Sequence, residues 1–578
     1  MNEFYIASNP NKINHLQQVG NSKLYVKDNG NRRFSLNQKE IFIFISGYVI
    51  PRRNTFKDFS HYTQHQLVFE LFKKYNKNLS AYIKGIFTVI ICRDDDIIIF
   101  NDCLGLNKFF IYKSDEEFII SNNIDNINKS IGLNLNKKSI ANQALYQHFI
   151  NNDTCFDNIS SSGPASFYSI KNTVEITSYW HWSELTKLKR EQVPFEILAD
   201  KFKEIVREYI EFLKPQGISM TLTGGRDTRT ILASLMSIGH KPNVFTFGNS
   251  LNADVISSKE IARVCNLTFT NYTYTPSPDW YRELSNEISQ TGQSLIHIHR
   301  AHRLDAIKRE VKRDPSIEMV FMGSMGGDYI KGAHLDDYII SEFVRKYWIE
   351  EDFSEGLVKE YLNKFYINDK DELTKKISTA LLTHQYKDLS KKDREFAIVH
   401  EIVGGAHDYQ DINIFCNHVP FVVVPFMDID FLYDLFSTTY SMFDNHETSG
   451  NPLKRMQGGE LQCSMIKYLQ PNLSKLNFAH PYSPDDLLGN QFIYMLKRIR
   501  GKLFKQNNIP GFPYNEWFHK FVYEELNNLL PELYEIFDIE KMELEFKSSV
   551  HRSNEGYWHK FSNIIMLSYY IKHFKAEI

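Results

Sequence analysis

Gly217-Ile-Ser-Met-Thr-Leu-Thr-Gly-Gly-Arg-Asp-Thr-Arg-Thr-Ile-Leu-Ala-Ser-Leu235 is the stretch on which the fold turns. Its first part is short, apolar and strand-like and ends at Leu222, whereas the part after Asp227 repeats apolar residues at helical spacing. Between them lies the loop Thr223-Gly224-Gly225-Arg226-Asp227-Thr228. Adjacent glycines let a backbone approach a ligand closely and turn its N–H groups inward, and a helix N-terminus adds positive potential. The stretch therefore predicts an anion cradle, with the hydroxyls of Thr223 and Thr228 as further donors. Asp227 beside a polyphosphate makes sense when a magnesium ion stands between the like charges. Neither GxxxxGK[ST] nor GxGxxG occurs, so this is not one of the common nucleotide loops. A plain strand-to-helix turn capped by Asp or Thr is the bland alternative.

The sequence downstream argues against that alternative. A second strand, Asn243-Val-Phe-Thr-Phe247-Gly248, closes on a glycine that lets an adenine ring lie against backbone groups beside Phe247. A helix from Ala253 to Asn266, a strand around Phe269 to Tyr274 and a strand Glu318 to Met322 follow, the alternation of a parallel α/β sheet. The last strand runs into Gly323-Ser-Met-Gly326-Gly327-Asp328. Two glycine-rich loops, each carrying one Asp at the carboxyl end of a parallel strand, are expected to converge on one crevice. Asp227 and Asp328 are the candidate magnesium ligands there, and ATP the expected nucleotide.

Around this centre the chain is organised in three parts. Its 578 residues exceed a single domain at about 150 residues each. Residues 1–185 read as strand-rich, with β-branched or aromatic runs at Ile41 to Ile45, Phe87 to Cys92, Ile97 to Phe100 and Phe118 to Ser121, and one clear helix from Gln64 to Tyr75. Residues 186–478 carry the α/β alternation, and 479–578 read as amphipathic, aromatic-rich helices. A hydrophobic content of 42%, 24% charged residues and a net charge of −3 describe a folded chain without a global field for nucleic acid or an anionic membrane. Neither partner is expected. Cys92, Cys103, Cys155, Cys265, Cys416 and Cys463 form no CxxC pair, and no apolar run of about 18 residues occurs, so reduced thiols and a cytoplasmic location are expected.

These motifs resemble those of the asparagine synthetase family. Thr223 to Thr228 is similar to that family's Ser-Gly-Gly-x-Asp-Ser pyrophosphate loop (PP-loop). Gly323-Ser-Met-Gly-Gly-Asp328-Tyr-Ile-Lys-Gly332 stands where the family has Ser-Gly-Glu-Gly-x-Asp-Glu-x-Phe-Gly, and Val424-Pro-Phe-Met-Asp428 resembles its Val-Pro-Phe-Leu-Asp. In the first part, Gly85-Ile-Phe-Thr-Val-Ile-Ile and Asn101-Asp-Cys-Leu-Gly105 resemble Gly-x-Phe-Ala-Phe-x-Ile and Arg-Asp-x-x-Gly. The resemblance spans roughly residues 40 to 475 and implies a degenerate class II amidotransferase-like αββα domain, a parallel α/β ATP-pyrophosphatase domain of the adenine-nucleotide α-hydrolase type, and a helical C-terminal extension.

Two departures narrow the implied reaction. The family's glutaminase uses a cysteine directly after the initiator Met, where this chain has Asn2, and its oxyanion-binding Asn-Gly reads Ser46-Gly47 here. An amide side chain is no nucleophile. Relatives without that cysteine, such as β-lactam synthetase and the lasso-peptide cyclases, use an amine on the substrate. The resemblance thus implies a ligase that activates a small-molecule or peptide carboxylate as an acyl-adenylate, releases pyrophosphate and AMP, and takes its amine from elsewhere than glutamine. An ammonia-dependent asparagine synthetase and a non-catalytic nucleotide-binding module are the alternatives. The family places a lysine over the phosphates; Lys454, Lys467 and Lys475 are candidates, and Lys475 lies in the nearest context. Met325 and Tyr329 stand where two family acids would be.

Other clusters carry less. His297-Ile-His299-Arg-Ala-His302 lacks a carboxylate or thiol at ligand spacing, Arg93 to Asp96 reads as a hairpin tip, and Lys497-Arg-Ile-Arg-Gly-Lys502 reads as a solvated helix face.

Overall fold

The structure is a computed structural model that describes residues 3–8, 17–18, 24–27, 32–36, 39–94, 96–146, 148–171, 174–274, 276–290, 298, 301–332, 342–398, 400, 408–445, 459–503, 514–548 and 555–576. Among the described residues twelve strands fill the first part: β1 (Glu3–Ala7), β2 (Gln17–Gln18), β3 (Leu24–Lys27), β4 (Arg32–Leu36), β5 (Lys39–Pro51), β6 (Ile83–Arg93), β7 (Asp96–Asn101), β8 (Phe110–Lys113), β9 (Phe118–Ser121), β10 (Ile159–Ser161), β11 (Ser166–Ile170) and β12 (Val174–Ser178). They form two six-stranded sheets in the orders β10-β8-β9-β1-β3-β2 and β12-β11-β7-β6-β5-β4. Side chains alternate across a strand, and here both faces are apolar. Phe4, Ile6, Phe42, Phe44, Ile90, Ile97 and Ile99 meet between the sheets, while Ile41, Ile43, Val89, Ile91, Ile98 and Phe100 point to the other side. The helix Gln64–Tyr75, opened by a Thr63/Gln66 capping box, buries Leu67, Val68, Leu71 and Phe72 against β5, and the helix Ile124–Ile131 lies on β9. The layers run helix, sheet, sheet, helix. Arg93 pairs with Asp96 where β6 turns into β7, as a hairpin tip requires.

A five-stranded parallel sheet follows, of β13 (Gly217–Thr221), β14 (Asn243–Phe247), β15 (Phe269–Tyr272), β16 (Ile317–Phe321) and β17 (Phe421–Val423), in the order β15-β14-β13-β16-β17. Met220, Val244, Phe245, Met319, Val320, Phe321, Val422 and Val423 are fully buried, the continuous apolar runs of strands covered on both faces. Strand order reverses between β13 and β16, and those two strands lead into the two glycine-rich loops. The crevice of such a sheet lies at that reversal.

A buried charge network joins the two parts. Lys84 on β6 sends its ammonium to Glu208 at 2.7 Å, Asp428 at 3.1 Å and Asp430 at 3.0 Å. Arg52 binds Asp430 at 2.8 Å, and Tyr209 donates to Asp428 at 2.9 Å. Burial alone would push the Lys84 ammonium down, but the three carboxylates outweigh it and hold it above its ordinary value. Asp428 also caps the helix Ile429–Phe436. The Val424 to Asp428 motif therefore serves the seam between the two parts.

The C-terminal helices brace both parts. On the helix Glu555–Ala576, the Phe574 carbonyl accepts from Asn128 at 2.9 Å and its ring packs on Phe156, while Phe518 and Phe521 on the helix Tyr514–Leu526 pack on Tyr281. All six cysteines are free thiols.

Candidate functional site

The first loop folds on its own hydroxyls. Thr223 N–H donates to Thr228 Oγ1 at 3.2 Å, Gly225 N–H to Thr223 Oγ1 at 3.2 Å, and Gly224 N–H to Asp254 Oδ1 at 2.9 Å. The helix Arg226–Ser237 then starts on Gly225 without a side-chain cap, so its first amides have no side-chain acceptor and present positive potential to the crevice. From sequence, Gly225 is expected to need a backbone conformation or a closeness to phosphate that a side chain prevents. Its φ is an ordinary −79°, with one close neighbour, Thr223 Oγ1 at 3.1 Å, and the contact within the protein falls on Gly224, where a Cβ would lie 2.7 Å from the Ala479 nitrogen.

Two residues that sequence reasoning missed hold this loop. Asp254 sits in the first turn of the helix Ala253–Cys265 and fixes Gly224; its Asn252-x-Asp254 cap pattern is the signal that could have pointed to it. Arg229 is fully buried and donates to the carbonyls of Leu476 at 2.6 Å and Asn477 at 2.8 Å, pinning the segment whose Ala479 N–H bonds Gly224 at 3.1 Å. Burial pushes the Arg229 guanidinium down to about 10. Lys475 immediately precedes this pinned segment; it is exposed and makes no ion pair among the described residues. Lys467 is paired with Asp485 at 3.0 Å, and Lys454 lies outside the described residues.

The second loop interlocks with the first. A Cβ on Gly323 would come within 2.6 Å of Thr228, and one on Gly326 within 2.8 Å of the Asp227 carboxyl. Gly327 N–H donates to Asp227 Oδ2 at 3.4 Å, and Gln462 Nε2 donates to the other Asp227 oxygen. Burial raises the Asp227 carboxyl despite Gln462, Arg226 and the Gly327 amide, which pull it down. Asp328 is 6% exposed in the first turn of the helix Gly326–Lys331. The two aspartates thus occupy abutting loops. Among the described residues no group of three or more His, Cys, Asp or Glu could hold a metal ion.

Gly248 has a φ of +131°, which favours glycine, and is anchored to Tyr272 O at 3.1 Å. Phe247 packs on His302 with ring centroids 4.9 Å apart, and Tyr274 stacks on the same imidazole at 5.9 Å. His302 belongs to this aromatic cluster; His297 and His299 lie outside the described residues. Tyr329, at a position where the family has an acid, is buried against His400 at 4.7 Å and Trp182 at 6.1 Å. Trp182 and His400, stacked at 4.2 Å, also line a cavity of about 310 Å³ shared with Lys108, Asn151, Tyr386 and Asn413.

In the first part, Gly47 has a φ of +80° and a Cβ there would strike Ile86 O at 2.1 Å, while Ser46 is fully buried. Asp102 accepts from the amides of Phe87, Leu104, Leu106 and Asn107 at 3.0 to 3.4 Å, and burial pushes its carboxyl up to about 6. Asn2 lies outside the described residues.

No protein-family model and no curated protein matches the chain. Among the solved structures similar to part of it are the following two. One, described as the allosteric regulatory enzyme of purine biosynthesis, is 8% identical with a TM-score of 0.20, over 42% of this chain and 62% of that one. The other, a glutamine phosphoribosylpyrophosphate amidotransferase from B. subtilis complexed with ADP and GMP, is 11% identical with a TM-score of 0.20, over 43% of this chain and 64% of that one. The chain spans less than two thirds of either. At this similarity the architecture of a double antiparallel sheet joined to a parallel α/β sheet rests on the strand order and contacts given above.

Proposed function

We propose that the protein is an ATP-dependent ligase that forms an amide bond through an acyl-adenylate, with an amine that does not come from glutamine. The observation that carries this reading is the bond from Gly327 N–H to Asp227, which ties two glycine-rich loops together at the reversal point of the parallel sheet. In the reaction a substrate carboxylate oxygen attacks the α-phosphorus of ATP. The bond to the β-phosphate oxygen breaks, and pyrophosphate leaves with its electron pair. The first amides of the helix Arg226–Ser237 face the developing negative charge and need no reorganisation to meet it. An amine then attacks the acyl carbon and AMP departs. Hard carboxylate oxygens suit magnesium, which takes one or two carboxylates together with substrate phosphates, so Asp227 and Asp328 would hold it there; when bound it neutralises phosphate charge. The cavity lined by Trp182 and His400, the two rings on which Tyr329 packs, offers room for the acyl or amine substrate.

A second reading, nucleotide binding without chemistry, draws on the fact that both Asp227 oxygens already accept hydrogen bonds. The test is product analysis after incubation with ATP, magnesium and a panel of amino acids, peptides and uronic acids with and without free amines. AMP and pyrophosphate in equal amounts support the ligase. ADP and phosphate, or nucleotide binding without turnover across the panel, sink it.

A further inference from the structure

The helix Gln491–Leu503 is turned inside out for a surface helix. Phe492, Met495, Leu496 and Ile499 recur at the three- and four-residue spacing of one helix face, and they are 69%, 42%, 50% and 48% exposed. Ile493, 49% exposed, flanks them. The opposite side faces the protein: Tyr494 is buried, and a Cβ on Gly501 would lie 2.4 Å from the Pro481 ring. An ordinary surface helix hides its apolar stripe, and soluble chains rarely leave such a stripe contiguous and bare. Five of the fifteen large apolar side chains exposed among the described residues fall in these 13 residues.

Charge identifies the occupant. The helix sequence carries Lys497, Arg498, Arg500 and Lys502 and no Asp or Glu, in a chain whose net charge is −3. Arg500 is exposed one turn beyond Leu496; Lys497 also bridges to Asp486 at 2.7 Å, and Arg498 lies over the Tyr494 ring. An apolar stripe with cations at its borders matches the boundary between acyl chains and anionic headgroups. A second copy of the chain fits less well, because stacking two such faces would bring like charges together. No helix among the described residues is long and apolar enough to cross a membrane, so contact through this helix would lie along the surface.

We infer that the helix Gln491–Leu503 docks the protein on the surface of an anionic lipid bilayer. The sequence alone predicts a solvated charged face and no membrane partner; the outward direction of Phe492, Leu496 and Ile499 is what reverses that expectation.

The test is flotation of the full chain with phosphatidylcholine vesicles, with and without phosphatidylglycerol. The wild type is expected to float with the anionic vesicles and to be released by salt. Leu496→Glu combined with Ile499→Glu should weaken binding on the order of tenfold or more, and Arg500→Gln about fivefold. These side chains are exposed, so circular dichroism should be unchanged; Phe492→Ser, at the most exposed position, carries the test if the double variant is unstable. Absence of binding, equal binding to neutral vesicles, or full binding by the variants overturns the inference. So does a wild-type dimer that the double variant converts to monomer without vesicles, which would make a second copy the occupant, or capture only by an acidic protein partner.

Discussion

The two candidate centres of this molecule differ in what kind of residue each holds. In the double-sheet part the residues that shape a site are present: Gly47 with its positive φ, and Asp102 gathering four amides. The residues that the resemblance to the asparagine synthetase family would require for glutaminase chemistry are not, since Asn2 and Ser46 stand where that family has its nucleophile and its oxyanion-binding amide. In the crevice of the parallel sheet both kinds are proposed to occur together, glycines that let loops touch and aspartates that would hold a phosphate-bound cation. Shape residues can persist for folding alone, so the chemistry-bearing side chains are the ones that separate a working centre from a scaffold.

The seam between the centres offers the largest effect. Lys84→Met would leave Glu208, Asp428 and Asp430 buried together without their common cation. Removing one partner of a buried ion cluster costs about 3–5 kcal/mol, and urea unfolding of the whole chain should read a loss of that size. A loss under about 1 kcal/mol would mean that the two parts stand without this network.

Asp102 tests whether the first centre is scaffold. Its folded carboxyl, at about 6, lies above the ordinary 3.8, so the folded state holds the proton more tightly than the unfolded one. The resulting stability is full below about pH 4 and is lost as pH rises through about 6, amounting to at most about 3 kcal/mol. Asp102→Asn should remove that slope from the pH profile of unfolding. A profile identical to wild type would place the titration elsewhere.

The crevice is tested by Asp227→Asn and Asp328→Asn. If the two aspartates serve one magnesium site, each substitution should lower substrate-dependent ATP–pyrophosphate exchange on the order of a hundredfold, and the double variant should be little worse than either single. Full additivity with unchanged magnesium dependence would separate the loops functionally.

Local pattern made much of this legible. The alternation around Ile41 to Phe100, the helix Gln64–Tyr75 and the two glycine-rich loops are all written within a few neighbouring residues, and the structure has strands, helix and abutting loops there. The partners of those loops are not local. Gln462 reaches Asp227 from 235 residues away and Arg229 reaches Leu476 from 247, distances over which a single sequence carries no pairing signal. Periodicity likewise reveals that Phe492, Leu496 and Ile499 share a face, but only the burial of Tyr494 and the packing of Gly501 on Pro481 reveal that the face points outward. Tyr329 stands in sequence where the resembled family has an acid; its buried contacts with His400 and Trp182 make it a packing residue.

The adjacent glycines of the first loop give the smallest and most discriminating comparison. Sequence points to Gly225, whereas the structure sets Gly224 against the Ala479 backbone and leaves Gly225 with one close side-chain neighbour, Thr223 Oγ1. Ala479 cannot easily yield, because Arg229 holds the carbonyls of Leu476 and Asn477 just before it. Gly224→Ala should therefore displace the loop and lower both stability, by about 1–3 kcal/mol, and ATP affinity. Gly225→Ala should leave stability within about 0.5 kcal/mol, so any loss of ATP affinity in that variant reports closeness of phosphate to Gly225 itself. Calorimetric titration with ATP and magnesium, run beside urea unfolding, separates the two. Unchanged affinity in both variants would move the nucleotide away from Thr223 to Thr228, and with it the contrast between a scaffold centre and a chemical one.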